Sequence, residues 1–247
     1  MFHGKKVKVV GFYGQSGAGK TTIIRNVPDE IDEVAVTKNT GILRYLYGKN
    51  NYYVHPNDCI DSYYQEMKNS PDANKNEVAN SVIEKYIRSA FQLLNDFSTE
   101  IYMLNKELGE NSAGVILVDS SPIDYYAMLM CGVSMLKDEF GVNELSYDMN
   151  HLIELAKKTA LTTTENFFDY VVITKPWQER GAKVMNTRIR DQYMGDYFIG
   201  RNWYEKIEEF EFSGTKTITL RESEILTKRI VELNNNVEKI CEETKTA

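Results

Sequence analysis

The stretch Lys6-Val-Lys-Val-Val-Gly-Phe-Tyr13, followed at once by Gly14-Gln-Ser-Gly-Ala-Gly-Lys20-Thr21, decides the fold. The first half is a β-rich apolar run, the pattern of a strand buried on both faces. The second half matches G-x-x-x-x-G-K-[ST] at every fixed position. Thr21 to Asn26 then opens a helix. Strand, glycine turn and helix follow one another without a gap, which is the setting this turn needs in order to work.

The chemistry of the turn is that of a phosphate cradle. Gly14, Gly17 and Gly19 let the backbone fold tightly with its N–H groups pointing inward. The start of the following helix adds the positive end of its dipole. Lys20 brings a point charge to the β- and γ-phosphates, and Thr21 offers a hydroxyl to Mg²⁺. The expected ligand is a nucleoside triphosphate, ATP with Mg²⁺. The candidate binding positions are Gly14, Gln15, Ser16, Gly17, Ala18, Gly19, Lys20, Thr21 and Thr22.

Working outward, Val34-Ala-Val36, Gly114 to Val118, Tyr170 to Ile173 and Lys216 to Leu220 read as further strands. Helices alternate with them. The clearest spans about 76–108, with Ile83, Ile87, Ala90, Leu94, Phe97, Ile101, Leu104 and Leu108 spaced alternately by four and three. That stripe is either a core face or in part a homodimer seam. A second helix is expected over about His151 to Phe167. A last one carries Leu226, Ile230, Leu233, Val237 and Ile240 on one face, with a frayed tail from Glu242 to Ala247. Residues 38–75 read as short helices and loops over the site. The fold class implied is α/β: a three-layer P-loop fold with a mostly parallel five-stranded sheet flanked by helices, plus a lid. A single domain over residues 1–247 accounts for all of it.

Composition narrows the function classes. The chain has 247 residues and a net charge of −7, which disfavours a general nucleic-acid coat but not a local basic groove. Its three cysteines are far apart and odd in number, so neither a disulfide scaffold nor a zinc site is expected. No run of about 18 apolar residues is present, so no membrane span is expected and a cytoplasmic location follows.

Two further stretches carry chemistry. Asp119 directly follows the apolar run Gly114 to Val118, where a carboxylate holds Mg²⁺ through water or takes a proton from an acceptor hydroxyl. The competing reading is a carboxylate that caps the next helix. Residues of about 175–206 hold Arg180, Lys183, Arg188, Arg190 and Arg201 among Trp177, Tyr193, Tyr197, Phe198, Trp203 and Tyr204. They are expected to form a lid whose arginines, chiefly Arg180, Arg188 and Arg190, neutralise a transferring phosphoryl group. The alternative is a solvated basic loop. A guanine-reading N-K-x-D is missing: Thr174-Lys-Pro-Trp-Gln178 has no asparagine before its lysine and no aspartate after it.

On Gly14 to Thr21, Asp119-Ser-Ser-Pro-Ile-Asp124-Tyr-Tyr and the late arginines, the chain resembles the deoxynucleoside and nucleotide kinase group of P-loop kinases, including small phage and bacterial AAA-type ATP-binding kinases. The resemblance implies transfer of the ATP γ-phosphoryl group to a hydroxyl, with Lys20, Asp119 and the lid arginines as the working groups. Two departures stand out. Ser120 occupies the place where the family often carries arginine, and Lys38 the place where nucleoside kinases usually present a carboxylate. Asp119 is then the better base, with Asp58, Asp61 and Asp124 behind it. The acceptor stays open between a nucleoside or nucleotide, a hydroxymethylated pyrimidine within phage DNA and another small alcohol. A non-catalytic ATP-gated binding module is the rival from another class.

Overall fold

A computed structural model describes residues 7–14, 20–26, 34–36, 59–107, 114–118, 121–174, 210, 212–220 and 226–246. Strands β1 (Val7–Tyr13), β2 (Val34–Val36), β3 (Gly114–Val118), β4 (Tyr170–Ile173) and β5 (Lys216–Thr219) lie in the order β2-β3-β1-β4-β5, each neighbouring pair parallel. Among the described residues the helices are α1 (Lys20–Arg25), α2 (Cys59–Asn69), α3 (Lys75–Glu107), α4 (Pro122–Asp138), α5 (Tyr147–Phe167) and α6 (Leu226–Thr246). A parallel sheet flanked by helices is the class that the alternating sequence pattern implied. The expected lid over 175–206 lies outside the described residues.

Alternation along the strands sends side chains to two different cores. Val10 and Phe12 of β1, Val115 and Leu117 of β3 and Tyr170 and Val172 of β4 meet Ile23 and Ile24 of α1 and Leu233, Val237 and Ile240 of α6. On the other face, Val7, Val9, Ile116 and Val118 pack with Phe168. Tyr13, Val171 and Ile173 pack there with Ile123 and Ala127 of α4. Both faces of β1 are therefore largely covered, which is why its sequence is apolar apart from Lys8. Each such aliphatic side chain contributes about 1.5–3 kcal/mol when fully buried.

Two polar details fix the sheet at its amino edge. The Asp169 carboxylate accepts from the Val9 amide at 2.9 Å and from Lys8 Nζ at 3.0 Å. The Asp169 amide donates to the Val9 carbonyl at 2.9 Å, and its own carbonyl accepts from the Lys216 amide at 2.8 Å. One residue thus ties β1, β4 and β5 together. Beside it, Gly11 leaves room for the fully buried Phe168 ring, whose Cε1 would lie 2.5 Å from a Cβ at that position.

A separate helical core lies beyond α4. Ile60 and Tyr63 of α2, Ala79 to Ala90 of α3, Leu129 to Leu136 of α4 and Met149, Ile153 and Ala156 of α5 share it. Tyr86 donates from its hydroxyl to the Tyr125 carbonyl at 2.8 Å, joining α3 to α4. On α3 the predicted stripe is buried at Ile83, Ile87, Ala90 and Leu94, but Ala79, Val82 and Tyr86 are buried as well, so the covered face is wider than one stripe. The side chains of Phe97, Ile101, Leu104 and Leu108 lie outside the described residues. Among the described residues no helix is long and apolar enough to cross a membrane.

Two helix boundaries differ from expectation. α5 starts at Tyr147 rather than His151, because the Ser146 side chain caps it by accepting from the Met149 amide at 3.2 Å. α6 continues through Thr246 instead of fraying from Glu242. Thr244 is buried and donates to the Cys241 carbonyl at 2.7 Å, while Glu243 accepts from the Tyr170 hydroxyl at 2.7 Å. The buried row of α6 also holds Arg229, whereas the neighbouring Ile230 is only half-buried.

Candidate functional site at the carboxyl edge of the sheet

All five strands are parallel, so their carboxyl ends share one edge. From β1 the chain crosses over β3 to reach β2, while from β3 it crosses over β1 to reach β4. Connections therefore diverge between β1 and β3. In an open parallel sheet, that divergence leaves a crevice outside the strand ends, the usual position of a ligand. Gly14 at the end of β1 and the first turn of α4 border it.

The register shapes the crevice. Gly11 pairs with Val118, so β3 stops two residues short of the end of β1. α4 begins at Pro122, and its first turn meets Gly14 through Asp124. The Thr174 amide donates to the Tyr13 carbonyl at 2.7 Å, and the Leu220 amide to the Ile173 carbonyl at 3.1 Å, so the ends of β1, β4 and β5 are held in step.

Lys20 opens α1 at this edge and is nearly buried. Its ammonium group donates to the Gly14 carbonyl and lies 3.8 Å from Asp124 Oδ2. Asp124, third residue of α4, is buried. Its Oδ1 accepts from the Gly14 amide at 2.9 Å, and its Oδ2 accepts from the Ser121 amide at 3.4 Å. One carboxylate thus touches the first amide of the glycine turn, the turn's lysine and the amino end of α4.

Two more groups border this cluster. Tyr13 is buried, and burial first, then the negative charge of Asp124 and that of Cys131, hold its phenol well above the ordinary value of 10.0. The Thr174 hydroxyl is buried and has no hydrogen-bond partner among the described residues. A Cβ at Gly14 would come within 2.5 Å of the Thr174 carbonyl oxygen, so only glycine lets the turn leave β1 here. An ammonium, and a hydroxyl that has no partner among the described residues, at the strand ends suit an anionic ligand rich in oxygen acceptors.

Of the residues expected to work, Gly14, Lys20 and Thr22 are described, and Lys20 stands beside Gly14. Thr21 lies in α1, but its side chain is outside the described residues. Gln15, Ser16, Gly17, Ala18, Gly19, Asp119, Arg180, Arg188 and Arg190 are outside them too. In the sequence Asp119 directly follows Val118, the last residue of β3. The pairing of Asp124 with Lys20 and Gly14 was not foreseen. Its local signal was present, since Ser121-Pro-Ile-Asp124 has the S-x-x-D spacing in which an acid at the third helical position reaches back to the cap amide.

No family model matches the chain, and no curated protein is significantly similar to it.

Proposed function

We propose that the chain is an ATP-dependent phosphotransferase that moves the γ-phosphoryl group to a hydroxyl of a nucleoside or nucleotide. The observation that carries the reading is the nearly buried Lys20 ammonium beside the Gly14 carbonyl, at the carboxyl end of the central strand of a parallel sheet. The sequence around it, Gly14 to Thr21, supplies the inward amides that a polyphosphate requires.

In this reading the protein supplies little covalent chemistry and much positioning. Lys20 and the turn amides hold the β- and γ-phosphates. Asp119 or a nearby acid takes the proton from the acceptor hydroxyl. Arg180, Arg188 and Arg190 balance the charge that develops on the transferring group. The Thr21 hydroxyl and the Asp119 carboxylate would hold Mg²⁺, which neutralises phosphate charge when bound.

The test is an acceptor panel with labelled ATP: free nucleosides, nucleotides and oligonucleotides bearing hydroxymethylated pyrimidines. Transfer to a nucleoside or nucleotide, abolished in Lys20→Ala without loss of fold, is the expected result. Transfer only to the oligonucleotide would move the acceptor to DNA. Binding or hydrolysis without transfer to any acceptor would make the chain an ATP-gated module and overturn the reading.

A further inference from the structure

We infer that Asp124 is a positioning residue that holds Lys20 beside the Gly14 carbonyl, and that an incoming polyphosphate must draw the lysine away from it. The inference rests on the nucleotide reading above and deepens it. Its basis is the set of contacts made by one buried carboxylate. Oδ2 stands 3.8 Å from the Lys20 ammonium, and Oδ1 accepts from the Gly14 amide at 2.9 Å. Both partners belong to the turn, and both are groups that a phosphate would claim.

The competition is direct. A polyphosphate oxygen and Asp124 are anions seeking the same ammonium, in a place where both Lys20 and Asp124 are largely shielded from water. Lys20 therefore exchanges partners when the ligand enters: Asp124 and the Gly14 carbonyl on one side, phosphate oxygens on the other. Asp124 does not lose its place in the exchange, because Oδ2 keeps the Ser121 amide at 3.4 Å and the residue is fixed in the first turn of α4. The carboxylate thus acts as a stationary anchor and Lys20 as the moving arm. Occupancy of the retracted arrangement reduces apparent affinity by the fraction of molecules held in it.

Asp124→Asn tests this, because an amide oxygen still accepts from Gly14 while the negative charge on Lys20 is gone. Binding of ATP and of inorganic tripolyphosphate is measured by calorimetry in EDTA, so that divalent metal plays no part, on wild type, Asp124→Asn and Lys20→Ala. The expected result is binding about tenfold tighter in Asp124→Asn than in wild type, as for a state in which about nine molecules in ten were retracted, and none in Lys20→Ala. General damage to the site would weaken binding and so move affinity the other way. Unchanged or weaker binding by a folded Asp124→Asn, with wild type binding and Lys20→Ala not, overturns the retraction and leaves the nucleotide reading standing. Absence of binding by wild type overturns both. If Asp124→Asn does not fold, the wild-type amide signals of Gly14 and Ser121 carry the test by nuclear magnetic resonance. Tripolyphosphate should shift both, since both amides bond to the carboxylate that loses its cation. A Ser121 signal that stays in place would overturn the exchange.

Discussion

Val9 and Asp169 are joined twice: the Asp169 amide donates to the Val9 carbonyl and the Val9 amide donates to the Asp169 carboxylate, each at 2.9 Å. The second bond replaces a strand-to-strand partner with a side chain at the point where β4 has not yet begun. Asp169→Ala would orphan the buried Val9 amide and release Lys8. The expected loss is about 2–3 kcal/mol, most of it from the amide because Lys8 is partly exposed. Thermal unfolding should fall by roughly 5–10 °C for a chain of this size. Asp169→Asn, which keeps an acceptor for Val9, should lose less than half as much.

Gly11 and Phe168 make a second pair that can be tested by compensation. An alanine methyl would come within 2.5 Å of the Phe168 ring, which is fully buried. Gly11→Ala should destabilise by about 1–3 kcal/mol through overpacking. In a chain that already carries Phe168→Leu the same substitution should cost less, and denaturant titration of the four proteins gives the coupling. A purely additive result would show that the clash is relieved elsewhere.

Gly14→Ala should behave differently from Gly11→Ala. Here the obstacle is the backbone carbonyl of Thr174, which cannot rotate away. The turn itself must shift, taking the Gly14 amide from Asp124 and the Gly14 carbonyl from Lys20. The expected outcome is loss of ATP binding by at least tenfold, accompanied by destabilisation of about 1–3 kcal/mol. Calorimetry together with thermal melting separates the two effects.

Alkaline pH should unfold the protein through its buried phenols. Burial is the leading cause that raises Tyr13, Tyr63 and Tyr170, with Asp124 and Cys131 adding at Tyr13 and Glu243 and Asp169 adding at Tyr170. A folded-state value above the unfolded one stabilises fully below pH of about 10 and is lost as pH rises beyond it. These three tyrosines should therefore show no tyrosinate absorbance until the fold is lost. Tyr63→Phe removes a buried hydroxyl that has no hydrogen-bond partner among the described residues. It should leave stability at neutral pH unchanged or raised by up to about 1 kcal/mol, and move the alkaline midpoint upward.

These residues also show which parts of the molecule could be read from the chain alone. β1 was legible because a short β-rich run, apolar apart from Lys8 and closed by a glycine turn, reads as a strand covered on both sides, and the motif after it fixed where that strand had to end. The stripe on α3 was legible for the same reason of period, through Leu94. Asp124 was harder: its partner Gly14 lies 110 positions away, and no periodicity links a helix cap to a turn at that separation. It entered only as a reserve base, and its tie to Lys20 became visible once β1 and β3 were in register. Arg229 was missed because charge argues for solvent, so Ile230 was set on the covered face in its stead. The tail of α6 was expected to fray because Thr and Glu are polar, yet Tyr170 supplies Glu243 with a donor from across the sheet.

α4 has its two ends in different company. Its first turn touches the glycine loop through Asp124, Ile123 and Ala127 lie against the sheet, and Leu129 to Leu136 sit in the helical core. Seventeen residues of helix make a rod of about 25 Å. Close-packed interiors transmit small displacements instead of absorbing them. The carboxyl-terminal half of this rod shares its core with Tyr63, Tyr86 and Met149, so a substitution in the helical layer that shifts α4 would also move the seat from which Asp124 meets the loop.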